Sequence, residues 1–130
     1  VGRQFLILGG VLALLSVAFG AFGAHGLRGS ISDEALAIYQ TGVQYQMFHA
    51  MALLVLGTLR LIFPQAERLK PAGWLFLAGI VIFSGSLYAL ALSGVSWLGA
   101  ITPIGGVCFL TGWALFTWAV ASLQEYSRSS

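Results

Sequence analysis

The feature that most restricts this chain is where its charges are missing. No Asp, Glu, Lys or Arg lies between Arg3 and Arg28, between Glu34 and Arg60, or between Lys70 and Glu125. The first two gaps hold 24 and 25 residues, and about 20 apolar residues are enough to cross roughly 30 Å of hydrocarbon as a helix. Each of these gaps accommodates one crossing. The third, Pro71 to Gln124, holds 54 residues. As one helix it would run to about 80 Å at the α-helical rise, so it must double back. Ser93-Gly94-Val95-Ser96 supplies a turn, and Pro103 suits the first turn of the helix that follows.

The expected fold is therefore an all-α membrane protein in which four transmembrane helices pack as a compact bundle. The whole chain, residues 1–130, forms one domain with spans near 5–24, 39–63, 72–92 and 99–123. Composition agrees: 58% of residues are hydrophobic and 8% charged, against about 25% charged in a soluble domain. A membrane β-barrel needs alternating polarity, and a run such as Leu12-Ala13-Leu14-Leu15-Ser16-Val17-Ala18-Phe19 does not alternate. The first apolar run exceeds the h-region of a signal peptide and reads as a retained span. The net charge of +2 is scattered, without the basic and aromatic interleaving of a nucleic-acid surface, so no nucleic acid is expected as a partner. Cys108 stands alone, which excludes an intramolecular disulfide and a cysteine-rich metal site.

Positive charge marks the cytoplasmic face of a membrane protein. Arg3, Arg60, Arg68, Lys70 and Arg128 fall on one side of this layout and Arg28 on the other, which puts both termini and the middle loop in the cytoplasm. Trp74 and Trp118 near one boundary and Trp97 near the other match the interfacial preference of indole. Ser30 and Asp33 have capping-box spacing at the start of the second span.

Lipid gives helices no hydrophobic incentive to associate, so close contact depends on small residues. Ser16, Gly20 and Ala24 recur at intervals of four on the first span, as do Gly85, Ala89 and Ser93 on the third. Both stripes are expected to face inward.

The second span carries an unusual density of polar residues: Gln40, Thr41, Gln44, Tyr45, Gln46 and His49. An intramembrane ionisable residue is by default a functional-site hypothesis. The candidate ligand-binding set is His49, Tyr45, Gln44 and Gln46 with His25, Ser84 and Ser86, forming a polar cavity for a small polar molecule or lipid. Helix breaks near Gly20–Gly26 and Pro103–Gly106 would support it. The structural alternative keeps His49 neutral and hydrogen-bonded to Gln46, Tyr45 or Ser84. His25 is expected to cap the first span, and pairing it with His49 around a haem is disfavoured by their different depths. A haem or quinone at His49 alone is a weaker alternative. No nucleophile motif, His-Glu-x-x-His or phosphate-binding loop is present, so neither an enzyme nor a cofactor is expected.

Several motifs occur in order: Gly20-Ala21-Phe22-Gly23-Ala24-His25-Gly26-Leu27, Tyr45-Gln46-Met47-Phe48-His49-Ala50, Phe83-Ser84-Gly85-Ser86-Leu87-Tyr88, Thr102-Pro103-Ile104-Gly105-Gly106 and Gly112-Trp113. Together they resemble the YgdD/YwdK family of small bacterial inner-membrane proteins of unknown function, which has a similar small membrane protein in eukaryotes. The resemblance implies a four-helix, multi-pass protein of the bacterial inner (plasma) membrane and brings no reaction or substrate. The leading functional expectation is a non-enzymatic protein embedded in the lipid bilayer that packs as a homo-oligomer or with a larger membrane complex.

Overall fold

The computed structural model describes residues 1–123. Glu125, Arg128 and the C-terminal end, which enter the charge argument above, lie outside the described residues. Four helices are each long and apolar enough to cross a membrane: α1 Gly2–Leu27, α2 Asp33–Ile62, α3 Leu69–Ser93 and α4 Ser96–Ala121. No β-strand is found among the described residues. Helices are what lipid demands, because it offers no partner to an open backbone N–H or C=O.

Helix α2 begins at Asp33, six residues before the expected span near 39–63, because its start is built outside the apolar run. Ser32 Oγ accepts the N–H of Ala35 at 3.0 Å, and Asp33 and Glu34 fill the first turn, where the helix dipole favours acids. Ser30 is not the cap; its hydroxyl donates to the Gly26 carbonyl at 3.2 Å. At about 45 Å, α2 outreaches the hydrocarbon layer and carries its acids clear of it. The α3–α4 turn falls where glycine permits it. Gly94 adopts φ +71°, a left-handed conformation open to glycine without penalty, and its N–H closes the helix on Leu90 O at 2.8 Å. Pro103 then stands in the first turn of the α-helical part of α4, Thr102–Ala121.

Two hairpins make up the bundle, α1 on α2 and α3 on α4, with α2 also packed along α3. The α1–α2 seam is a heptad of small residues: Gly2, Gly9, Ser16 and Gly23 are all buried. A Cβ on Gly9 would stand 2.9 Å from Ala50 O, and one on Gly57 would stand 2.8 Å from Gly2 O. This seam corrects the expected four-residue stripe, of which only Ser16 is buried; Gly20 is half-buried and Ala24 exposed. A step of four residues advances about 40° around a helix, whereas a step of seven nearly closes two turns and stays on the seam.

Helix α3 departs from α-geometry over Ile80–Ser84, which forms a π-helical turn. From its last residue onward the buried positions are Ser84, Ser86, Leu87 and Ala91, so the expected inward stripe is turned outward, with Ala89 and Ser93 exposed and Gly85 half-buried. Nothing lies within 4 Å of where a Gly85 Cβ would be. The two helices of the second hairpin meet where glycine removes the side chain: Gly105 faces the backbone of Phe83, and Gly79 lies under the ring of Phe109.

At one end of the bundle, Phe5, Leu53, Leu56, Leu69 and Phe76 are fully buried together. The start of α1, the end of α2 and the start of α3 bring Arg3, Arg60, Arg68 and Lys70 to this end, while Arg28 lies at the other. Arg68 stacks over Trp118 at 3.8 Å and donates to Ser122 Oγ at 2.8 Å.

Candidate functional site

The polar residues of α2 divide by helical face. Tyr39, Gly42, Gln46, His49, Leu53 and Leu56 follow alternating steps of three and four and are all buried. Gln44 lies off that stripe and is exposed, and Tyr45 is 38% exposed at its edge.

Most of the stripe's hydrogen-bonding capacity is spent inside the bundle. Gln46, 2% exposed, donates through Nε2 to Leu12 O at 2.9 Å and accepts the Tyr88 hydroxyl at 2.6 Å. Tyr39 donates to Phe19 O at 2.6 Å. Ser84 Oγ donates across to Gly42 O at 2.7 Å, and Ser16 Oγ adds to Leu12 O at 2.9 Å. Ser86 donates to Phe83 O at 2.9 Å; its one proton is thereby used, so the 2.6 Å contact with Thr102 is donated by Thr102.

His49 is 4% exposed and has both ring nitrogens engaged. Trp113 Nε1 stands 3.0 Å from His49 Nε2, and His49 Nδ1 stands 2.7 Å from Tyr45 O. An indole N–H only donates, so Nε2 accepts and the proton sits on Nδ1, donating to the carbonyl. Phe109 stacks on the imidazole with ring centres 3.6 Å apart and planes 10° from parallel. The ring is stacked on by Phe109 and bonded at both nitrogens, which leaves no free lone pair for a metal or haem iron. Of the partners named from sequence, only Tyr45 bonds to His49, and it does so through its backbone.

His25 is exposed in the last turn of α1. Gly23 packs on Tyr39 and Gly9 against Ala50, so His25 lies about three helical turns from the level of His49. The structure thus separates the two histidines, and no group of three or more His, Cys, Asp or Glu among the described residues converges on one point.

Between α2 and α4, beside His49, runs a groove of about 400 Å³ lined by Tyr45, His49, Phe83, Pro103, Gly106, Val107, Phe109, Leu110 and Trp113. Its walls are aromatic rather than polar. Gly106 opens it further, with nothing within 4 Å of a Cβ position there. The π turn of α3 contributes Phe83, whose ring lies 4.7 Å from that of Tyr45. Trp113 and Phe109 are one turn apart on α4, a spacing that marks a shared face. Without knowing that α4 lies against His49, that signal has no partner.

Fold and site together define a polytopic helical membrane protein with an internally bonded polar seam and an aromatic groove. The family described as a protein of unknown function, DUF423, matches residues 19–106. The UPF0382 membrane protein YwdK of Bacillus subtilis is 51% identical over 117 residues, covering 90% of this chain and 95% of the relative. A UPF0382 membrane protein of Staphylococcus aureus is 49% identical over 113 residues, 87% of this chain and 91% of its own, and one of Staphylococcus epidermidis is 50% identical over 117 residues, 90% and 94%. No solved structure matches the chain. The chain belongs to this DUF423 family of membrane proteins of unknown function.

Proposed function

We propose that this is a non-enzymatic protein of the bacterial plasma membrane that holds a lipophilic molecule carrying a hydrogen-bond acceptor in the groove between α2 and α4. The observation that carries the reading is Tyr45. Its ring lines the groove, and its hydroxyl makes no hydrogen bond among the described residues, whereas its backbone carbonyl is 2.7 Å from His49 Nδ1. The side chains of His49, Trp113, Ser84, Ser86, Gln46 and Tyr88 nearby are all hydrogen-bonded. A phenol left in hydrocarbon without an acceptor is unfavourable, and a bilayer molecule with a carbonyl, a quinone for instance, supplies one. The surrounding bonds also argue against acid–base chemistry, because they occupy the groups that would perform it.

Gly106→Leu tests the reading, since it fills the groove where no protein atom stands. Lipophilic compounds co-purifying with the protein from native membranes would be extracted and identified by mass spectrometry. One compound retained at near-equal stoichiometry, and lost in a folded Gly106→Leu protein, supports the proposal. Identical extracts from the two proteins overturn it.

Both termini and the α2–α3 connection are placed in the cytoplasm in this proposal, supported by the gathering of Arg3, Arg60, Arg68 and Lys70 at one end. Association with a second copy or a larger complex is a second reading, favoured by the outward face of Gly85, Ala89 and Ser93, where small residues let another helix approach. Gly85→Leu is expected to abolish crosslinked dimers in membranes if that face is used; dimers that persist count against it.

A further inference from the structure

Arg60 lies in the last turn of α2 with a side chain only 12% exposed, yet its hydrogen bonding is incomplete. Nη2 reaches Glu67 Oε1 at 3.2 Å, while Nε and Nη1 are buried without a partner among the described residues. A guanidinium keeps its charge at any accessible pH and offers five donors. Native proteins rarely leave such groups buried and unpaired, because each lost partner is a desolvation penalty without compensation. Glu67 does not settle the account. It is 71% exposed, so its attraction is weakened by water.

Arg60 also lines a cleft of about 230 Å³, together with Val1, Gly2, Leu61 and Pro64. Its lining contains no acid. It opens at the end of the bundle that also carries Arg3 and Lys70, and the polar headgroups of a bilayer lie beyond the ends of its hydrocarbon core. Arg68 at the same end is already committed to Trp118 and Ser122, which leaves Arg60 as the largely buried cation with unpaired donors.

We propose that Arg60 and this cleft bind a phosphate group. The phosphodiester of an anionic phospholipid and free phosphate share the chemistry required: a compact anion with several acceptor oxygens, matched to guanidinium N–H groups by charge-assisted hydrogen bonds. Leu61 and Pro64 form the apolar side of the cleft.

The test is native mass spectrometry of the full chain in detergent, titrated with phosphatidylglycerol, with phosphatidylcholine, and with inorganic phosphate as competitor. One phosphatidylglycerol is expected to bind, and Arg60→Gln is expected to weaken it about tenfold or more through loss of a charged hydrogen bond. Leu61→Trp, which fills the cleft from an exposed position, is expected to do the same and decides the matter if Arg60→Gln does not fold. The double variant Arg3→Gln/Lys70→Gln is expected to bind as the parent does. Displacement of lipid by millimolar phosphate identifies the free anion as the ligand, and resistance to it identifies the lipid. Undiminished binding in folded Arg60→Gln and Leu61→Trp proteins, or a loss that follows Arg3 and Lys70 instead, overturns the proposal.

Discussion

Trp113 donates its indole N–H to Nε2 of His49 at 3.0 Å, and this bond determines which nitrogen of the imidazole carries the proton. Trp113→Phe keeps a ring in place and removes the donor. A double-mutant cycle of Trp113→Phe with His49→Leu, read by unfolding in mixed micelles, is expected to give a coupling of about 0.6 to 2 kcal/mol, the range for interhelical hydrogen bonds in membranes. A coupling indistinguishable from zero removes the bond from the account of the fold.

The α1–α2 seam makes a prediction from two adjacent glycines. A Cβ on Gly9 meets Ala50 O at 2.9 Å, whereas one on Gly10 meets nothing within 4 Å. Gly9→Leu is expected to destabilise by roughly 1 to 3 kcal/mol through overpacking, and Gly10→Leu by little or nothing. Thermal unfolding in one detergent distinguishes them, and equal effects would contradict the packing described.

Gln46 links α1 and α3 by accepting from Tyr88 and donating to Leu12 O. Gln46→Leu strands the Tyr88 hydroxyl, and an unpaired buried donor costs more than a missing pair. The double variant Gln46→Leu/Tyr88→Phe is therefore expected to be more stable than Gln46→Leu alone. The opposite order in a chemical melt would show that Tyr88 finds another acceptor.

Orientation is open to labelling in intact cells. With Cys108→Ala as background, a cysteine at Ser96 is expected to react with a membrane-impermeant maleimide from outside, and one at Gln65 only after permeabilisation. The reverse pattern places the termini outside.

The four helices are legible in the sequence because burying or exposing a charge is a first-order effect in lipid, and the gaps in charge are long. The helix start at Ser32 is harder: Ser30 offers an equally plausible spacing, and only the course of the backbone through Gly29, at φ +85°, selects between them. On α2, alternating steps of three and four carry Leu53 and Leu56 back to Gln46 and His49, so the inward polar residues are separable from Gln44 in principle. The groove is not legible in this way. It depends on Phe109 and Trp113 reaching His49 from far along the chain, as the 64-residue separation of the His49–Trp113 bond records. The outward face of Gly85 is hidden for a related reason, because the π turn at Ile80–Ser84 changes the phase of everything after it and has no sequence signature.

The bonds between helices also follow the order in which a ribosome delivers the chain. Gln46 to Leu12 O and Tyr39 to Phe19 O lie wholly within the first hairpin. The nascent protein thus carries, before its second half exists, the means to quiet its most polar membrane-buried amide. What waits for the later helices is the acceptor side: Gln46 Oε1 for Tyr88, Gly42 O for Ser84, and His49 Nε2 for Trp113. Synthesis of the second hairpin is then a sequence of donors arriving at acceptors already in position, with the tryptophan of α4 last.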